Sequence, residues 1–195
     1  MAFIEPITLR GNHVTLEPLA REHAGALVLA AADGMLWELW YTSVPKPDAM
    51  PAEIGRRLDS CMAGNMLPFS VRRNDTGALC GMTTYMNVDA AHRRVEIGST
   101  WYAQSAQRTG INTESKLLLL SHAFETLHCI AVEFRTSFMN LQSRAAIARL
   151  GARQDGILRN HQRMADGSFR DTVVFSIIES EWPAVRRHLQ FKLAR

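Results

Sequence analysis

Between residues 95 and 112 the chain reads Val95-Glu-Ile-Gly-Ser-Thr-Trp-Tyr102, then Ala103 to Ala106, then Gln107-Arg-Thr-Gly-Ile-Asn112. The first segment predicts a strand, and the residues from Gly110 to Leu127 carry the clearest helical pattern of the chain. A strand that runs into a glycine-containing loop and then a helix forms an anion site, because the first helical amides have no partner inside the helix. The helix dipole adds partial positive charge, and Gly110 has no Cβ to hold a ligand away from the backbone.

The glycine spacing by itself does not identify a ligand. It lacks the GK[ST] of a nucleotide-binding P-loop and the GxGxxG of a dinucleotide fold. A single glycine at a strand-to-helix connection is also common in turns that bind nothing. Spacing alone therefore leaves two interpretations, an anion site and a plain structural turn.

The rest of the chain predicts an α/β (α+β) fold. A strand meander followed by a strand–helix–strand crossover indicates a central mixed, mostly antiparallel twisted sheet with helices on both faces. No linker or repeat divides the sequence, so residues 1–195 are predicted to form a single domain. The predicted strands are His13–Leu19, Phe69–Arg73, Ala78–Asn87, Ile130–Ser137 and a hairpin of Arg153–Arg163 and Ser168–Ile178 around an Ala165-Asp-Gly167 turn; the predicted helices are Arg21–Ala32, Met50–Ala63, Ser143–Leu150 and Ser180–Leu193.

Composition narrows the possible functions. Lys plus Arg number 22 against 19 Asp plus Glu, a mildly basic balance that suits an anionic ligand and, without aromatic–basic interleaving, does not indicate nucleic acid. The sequence shows neither a secretory signal nor an apolar run that could span a membrane, which predicts a cytoplasmic protein without a membrane partner. Three widely spaced cysteines predict reduced core thiols and no metal site.

Several further motifs surround the 107–112 loop. They are Glu96-Ile-Gly98 in the strand before it, Thr113-Glu114 directly after it, and Asn140-Leu-Gln-Ser143 followed by Leu150-Gly151. In this order, and with Gln107-x-x-Gly110-x-Asn112 as the pyrophosphate loop, they resemble the GNAT superfamily of acetyltransferases. The likeness is strongest to the RimJ/RimL branch, the ribosomal-protein N-terminal acetyltransferases. The chain departs from the family at Asn112, where Gly or Ala is usual, and at Ile147, where many members carry a tyrosine that protonates the leaving thiolate.

The resemblance implies acetyl-CoA as the cofactor and direct attack of an amine on its thioester in a ternary complex. It implies that the amides of Ser99, Thr100 and Trp101 meet the pantetheine arm and the thioester oxygen. Asn140 would hydrogen-bond the pantetheine, cap the following helix, or do both, and Ser143 would replace the missing tyrosine as proton donor. The pyrophosphate site implied by the family loop consists of Gln107, Arg108, Thr109, Gly110, Ile111, Asn112 and Thr113.

The sequence offers more than one candidate for the catalytic base and for the site that binds the acceptor amine. Glu96 is the first candidate base, acting through a water, with a structural or substrate-orienting carboxylate as the alternative; His92 is a weaker candidate. An aromatic-plus-acid cluster of Trp37, Glu38, Trp40 and Tyr41 could hold a cationic amine. The alternative is that Trp37 and Trp40, three residues apart, form one buried helix face. The predicted substrate-binding residues are Trp37, Trp40, Tyr41 and Tyr85.

Three points of function remain open at this stage. The acceptor is predicted to be a protein N-terminus or a small-molecule amine. The alternative to an active enzyme is a catalytically weak CoA-binding module with a sensing or assembly role. A homodimer or higher homo-oligomer is plausible from the branch resemblance.

Overall fold

A computed structural model describes residues 3–164 and 166–195 of the chain. All of its strands join one sheet, in the order β1-β2-β3-β4-β5-β6-β8-β7. The predicted Ala165-Asp-Gly167 turn lies partly outside the described residues, because they exclude Ala165. The strands are β1 (Leu9–Arg10), β2 (Val14–Pro18), β3 (Leu67–Arg73), β4 (Leu79–Asp89), β5 (Arg94–Tyr102), β6 (Ala131–Ser137), β7 (Arg153–Arg163) and β8 (Phe169–Ile178). The α-helices are α1 (Ala24–Ala32), α2 (Met50–Met62), α3 (Gly110–Ser121), α4 (Leu141–Arg149) and α5 (Trp182–Leu193).

One pair of neighbouring strands, β5 and β6, is parallel, and the two strands are paired along only part of their length. The register runs from Arg94 opposite Ala131 to Glu96 opposite Glu133. Beyond that point β5 continues beside β4, and β6 continues beside β8. A wedge therefore opens between residues 97–102 of β5 and residues 134–137 of β6, which we call the β5–β6 opening.

Helices cover both faces of this sheet. On one face the Tyr85 hydroxyl of β4 donates to the Leu119 carbonyl of α3 at 2.5 Å. On the other face the Arg57 guanidinium of α2 donates to the hydroxyl of Thr84, the neighbour of Tyr85, at 2.9 Å. Because successive strand residues point to opposite faces, α2 and α3 lie on opposite sides. The predicted mixed sheet with helices on both faces is confirmed.

The predicted helix Gly110–Leu127 changes character near its end. Its α-helical part ends at Ser121, and a π-helical turn follows over His122–Thr126. The Leu127 amide donates to the His122 carbonyl at 3.0 Å, the longer spacing that defines a π turn. A hydrophobic period shows that a helix continues but does not reveal such a change of winding.

The prediction that Trp37 and Trp40 form one buried helix face is wrong. This segment makes only a 3-10 turn over Leu36–Glu38, which begins after left-handed Met35 and ends at extended Leu39. Trp37 is half-buried against the core, whereas the Trp40 side chain is 63% exposed. One turn is too short to bring both indoles onto the same face.

The prediction of core cysteines holds for two of the three. Cys61, Cys80 and Cys129 are all free, and the last two are buried. Burial raises the pKa of the Cys80 and Cys129 thiols to about 11, so both remain protonated at neutral pH. Within the part of the chain that the structure describes, no helix has the length and hydropathy needed to cross a bilayer.

Candidate active site

A β-bulge lies where β5 leaves β6. Met82 of β4 faces Trp101 and Thr84 faces Gly98, so Thr83 alone faces both Ser99 and Thr100. The extra residue takes a left-handed conformation at Ser99, with φ +46°. A bulge leaves part of the ladder unpaired and redirects the strand. Because β5 pairs with β6 only as far as Glu96, we expect the main chain of the predicted Ser99–Trp101 segment to be accessible from the β5–β6 opening.

The 107–112 loop forms the start of α3. Arg108 is left-handed, with φ +59°, and Thr109 caps the helix by accepting from the Ile111 amide at 3.3 Å. The Thr109 hydroxyl also donates to the Ala106 carbonyl at 2.7 Å. The amides of Arg108 and Thr109 donate to no acceptor among the described residues. Successive free amides in a turn of this kind form a concave anion-binding nest.

Gly110 has little room for a side chain. A Cβ added there would lie 3.3 Å from Cδ2 of His13, which precedes β2. The glycine therefore serves two purposes, since it exposes the helix N-terminus and lets the β2 end of the chain pack against it.

The side chains of two predicted loop residues, Gln107 and Ile111, are already occupied within the protein. The Gln107 amide is already engaged, because it donates to the Tyr102 carbonyl at 3.0 Å and accepts from Gln142 of α4 at 3.3 Å. Ile111 is buried in the core. Any contact of these two residues with a ligand would go through their main chains.

Beside the loop lies a pocket of about 440 Å³ lined by cations from three elements. Arg108 comes from the loop, Arg149 from α4 and Lys192 from α5, with Thr109 and Thr113 completing the lining. No carboxylate lines this pocket. Together with the free amides, it is a site suited to a multiply charged anion. Arg149 and Lys192 are absent from the sequence-based prediction.

Glu114, in the Thr113-Glu114 motif, binds the main chain of another part of the protein. Its carboxylate accepts the main-chain N–H groups of Asn12, His13 and Val14 at 2.6 to 2.9 Å. These three bonds tie the start of β2 to α3, directly beside Gly110. Glu114 therefore anchors the start of β2 to α3 next to the loop.

Asn140 caps α4. Its side-chain oxygen accepts from the Ser143 amide at 2.9 Å, which is one of the two roles predicted for it. Ser143 is half-buried in the first turn of α4, and Ile147 is buried one turn later. The contact of Asn140 with pantetheine and the proton-donor role of Ser143 stay predictions.

Glu96 is buried at the point where the β5–β6 opening begins. Its Oε2 accepts from the Asn87 side-chain amide at 2.7 Å and lies 3.5 Å from Nε of Arg135. A Cβ on Gly98 would lie 2.7 Å from Glu96 Oε1, so the glycine makes room for this carboxylate. Burial raises the pKa of Glu96, opposed by the Asn87 hydrogen bond and the charges of Arg135 and Arg170. Nε of Arg170 is itself buried without a hydrogen-bond partner among the described residues.

The predicted acceptor residues divide into two groups. Tyr85 is fully buried beneath α3 with its hydroxyl bonded to the main chain, so its prediction as a substrate-binding residue is wrong. Trp40 and Tyr41 pack edge to face, with ring centroids 5.7 Å apart, outside the core. Their role and that of Trp37 stay predictions. His92 lies before β5 at the paired end of the strands, bonded to Asp89, and not at the opening.

One buried polar group was missed from the sequence. Lys116 of α3 is buried, and its amine donates to the hydroxyls of Thr83 and Thr100. Burial lowers the pKa of this amine to about 7. In the described ranges, no cluster of three or more His, Cys, Asp and Glu side chains could hold a metal ion.

The family model for an acetyltransferase (GNAT) domain matches residues 13–153. A Bacillus subtilis (strain 168) protein named "Putative ribosomal N-acetyltransferase YdaF" is 34% identical over 106 residues, which are 54% of this chain. The match spans little more than half of that relative, 57% of its length.

Two solved structures are similar along nearly the whole chain. A GCN5-related N-acetyltransferase from Brucella melitensis is 31% identical with a TM-score of 0.84, covering 97% of this chain and 86% of its own. Mycobacterium smegmatis RimJ, solved in complex with CoA-disulfide, is 26% identical with a TM-score of 0.80, covering 96% and 95%.

Proposed function

This chain belongs to the GNAT family of acetyltransferases, and we propose that it transfers an acetyl group from acetyl-CoA to a primary amine. The observation that carries this proposal is the 107–112 loop, which follows β5 along the chain and places free amides beside a pocket lined by Arg108, Arg149 and Lys192. A long ligand with an anionic end and a thin arm would have its anionic end at this site. Acetyl-CoA would supply an activated acetyl thioester.

Residues at the loop end fit the charged part of that ligand. The free amides of Arg108 and Thr109 and the start of α3 would hold the pyrophosphate. Arg108, Arg149 and Lys192 would add charge-assisted contacts to phosphate oxygens. The bulge at Ser99 would present main-chain groups to the arm and, at the reacting end, a donor to the thioester oxygen.

At the Glu96 end of the β5–β6 opening, the residues are suited to remove a proton from the attacking amine. An attacking amine must be neutral, and an α-amine with a pKa of about 7.7–8.0 is neutral far more often at pH 7 than a lysine amine. A buried carboxylate with a raised pKa, such as Glu96, is suited to accept the remaining proton through a water. A protein N-terminus is therefore the acceptor we favour, in line with the name of the Bacillus subtilis relative, a ribosomal N-acetyltransferase. A small-molecule amine is the alternative.

We further propose that residues 1–195 act as one domain in the cytoplasm, where three free thiols would persist. A homodimer or higher homo-oligomer also stays a proposal, which light scattering on the purified chain tests. No nucleic-acid or membrane partner is invoked.

The test combines calorimetry with CoA and a thiol-release assay against peptides with different first residues, amino acids and polyamines. We expect micromolar CoA binding and acceptor-dependent thiol release. Absence of CoA binding would overturn the proposal.

A second candidate, a CoA-binding module with little catalysis, is favoured by one observation. Ile147 is buried at the position of the usual proton-donating tyrosine. CoA binding without any acceptor-dependent thiol release would establish that candidate instead.

A further inference from the structure

Lys116 is an unusual residue for the middle of a buried helix face. Only 5% of its surface is exposed, and it forms no ion pair with any carboxylate among the described residues. Burial of an ammonium group without a carboxylate is costly, and a leucine or methionine would fill the same space without that cost. Its position therefore calls for a purpose other than packing.

The Lys116 amine is bonded to the bulge of β5. Its Nζ donates to Thr100 Oγ1 at 2.8 Å and to Thr83 Oγ1 at 3.1 Å, and the two hydroxyls are 2.8 Å apart. Thr83 is the residue that faces the bulge from β4, and Thr100 is part of the bulge. The three groups form a closed polar triangle under the bulge.

This triangle limits the acceptors that the Thr100 hydroxyl can reach. Since Lys116 donates to Thr100, the hydroxyl hydrogen is left for Thr83 or for the Gly98 carbonyl, which lies 3.4 Å away. Gly98 and Thr100 flank Ser99, whose left-handed conformation is disfavoured for a non-glycine residue. Contacts that clamp both flanks hold such a conformation in place.

From this geometry we infer that Lys116 is a positioning residue, which holds the Ser99 bulge so that its main chain points into the β5–β6 opening. The inference rests on the proposed function, in which the bulge receives the thioester. Lys116 also lies on α3, whose first residues form the 107–112 loop. One helix thus connects the proposed phosphate site to the proposed reacting end.

The test compares Lys116→Met, Thr100→Val and the double variant with wild type. Methionine keeps the length of lysine and removes its donors, and valine keeps the shape of threonine and removes its hydroxyl. Ser115→Ala is the matched control, because Ser115 is the buried neighbour on α3 whose hydroxyl donates to the Ile111 carbonyl and not to the bulge. Thr100→Val keeps the test valid should Lys116→Met fold poorly.

We expect kcat for acetyl transfer to fall about 10- to 100-fold in each single variant, the scale of small misplacements of reacting groups. The double variant should be no slower than the worse single one, since both break the same clamp. The CoA dissociation constant should stay within about twofold, and the Tm of Lys116→Met should not fall, because a desolvated amine is removed. A lower Tm with unchanged kcat would show a merely structural lysine and overturn the inference.

Amide hydrogen exchange of the ligand-free chain separates this inference from the proposed function. We expect residues 97–102 to shift to faster exchange in Lys116→Met and not in Ser115→Ala. Unchanged exchange would overturn the inference. If wild type transfers acetyl to no amine, the proposed function fails, while the exchange result still decides whether Lys116 holds the bulge.

Discussion

The loop end and the Glu96 end of the β5–β6 opening are built from different parts of the chain. At the loop end, main-chain amides of Arg108 and Thr109 and the start of α3 create the site, and cations from distant helices only surround it. At the Glu96 end, side chains create the site, since Asn87, Arg135 and Glu96 meet from three strands. A site made of main-chain amides can form with many different side chains, provided that the glycine is kept. A site made of side chains is lost when any one of those side chains is replaced.

The largest effect should come from Gly110→Glu at the loop end. A carboxylate there would repel phosphates, and the added Cβ would lie 3.3 Å from Cδ2 of His13. We expect CoA affinity to fall more than about 100-fold, since hydrogen bonds to charged groups are worth about 1.5–3 kcal/mol each. Calorimetry measures this loss, circular dichroism checks the fold, and Gly110→Gln is the control for size without charge. Retained affinity in Gly110→Glu would place the anion elsewhere.

Glu96→Gln tests the opposite end. Loss of a general base should lower kcat/KM about 100-fold or more, while CoA binding, which depends on the loop end, stays unchanged. Steady-state kinetics beside calorimetry gives both numbers. Asp89→Asn is the matched control, because Asp89 is an exposed carboxylate at the end of β4. Full activity in Glu96→Gln would make Glu96 a structural carboxylate.

The cationic pocket should give a smaller effect at the loop end. Replacement of Arg149 or Lys192 by glutamine should weaken CoA binding roughly fivefold each, near the upper value of about 1 kcal/mol for exposed charge pairs. The loss should shrink as salt is raised. Arg187→Gln, on the same helix as Lys192 but outside the pocket lining, should leave the dissociation constant unchanged. Equal losses in all three variants would indicate a general charge effect.

The smallest effect concerns stability. The folded-state pKa of Glu96 is raised, so its stability contribution is present at low pH and is lost as pH rises through that pKa. Glutamine mimics the protonated acid at every pH. We therefore expect the Tm of Glu96→Gln to approach wild type below the ordinary carboxyl pKa. Above that value it should exceed wild type by a margin that grows with pH and levels off above the raised folded-state pKa. A Tm difference that stays constant with pH would contradict the raised pKa.

This contrast also explains what the sequence could predict. The strand before the loop and the start of α3 follow from residue patterns, and these two predictions are confirmed. The role of the loop as a pyrophosphate site stays a prediction. Tyr85 was wrongly placed because alternation along a strand does not tell which face meets α3. Lys116 escaped notice because a lysine within an apolar helix normally extends to solvent. Arg149 and Lys192 lie on α4 and α5, so only the folded chain brings them beside Arg108.

The short parallel register between β5 and β6 has a mechanical consequence. Among residues 3–164 and 166–195, only the stretch from Arg94 to Glu96 joins the β1–β5 half of the sheet to the β6–β8 half by strand pairing. The sheet therefore consists of two sub-sheets joined by one short paired segment. A ligand bound in the β5–β6 opening would contact both sub-sheets. Such a ligand would restrain the motion of one sub-sheet relative to the other. Its release would allow the two sub-sheets to bend about the Arg94–Glu96 pairing.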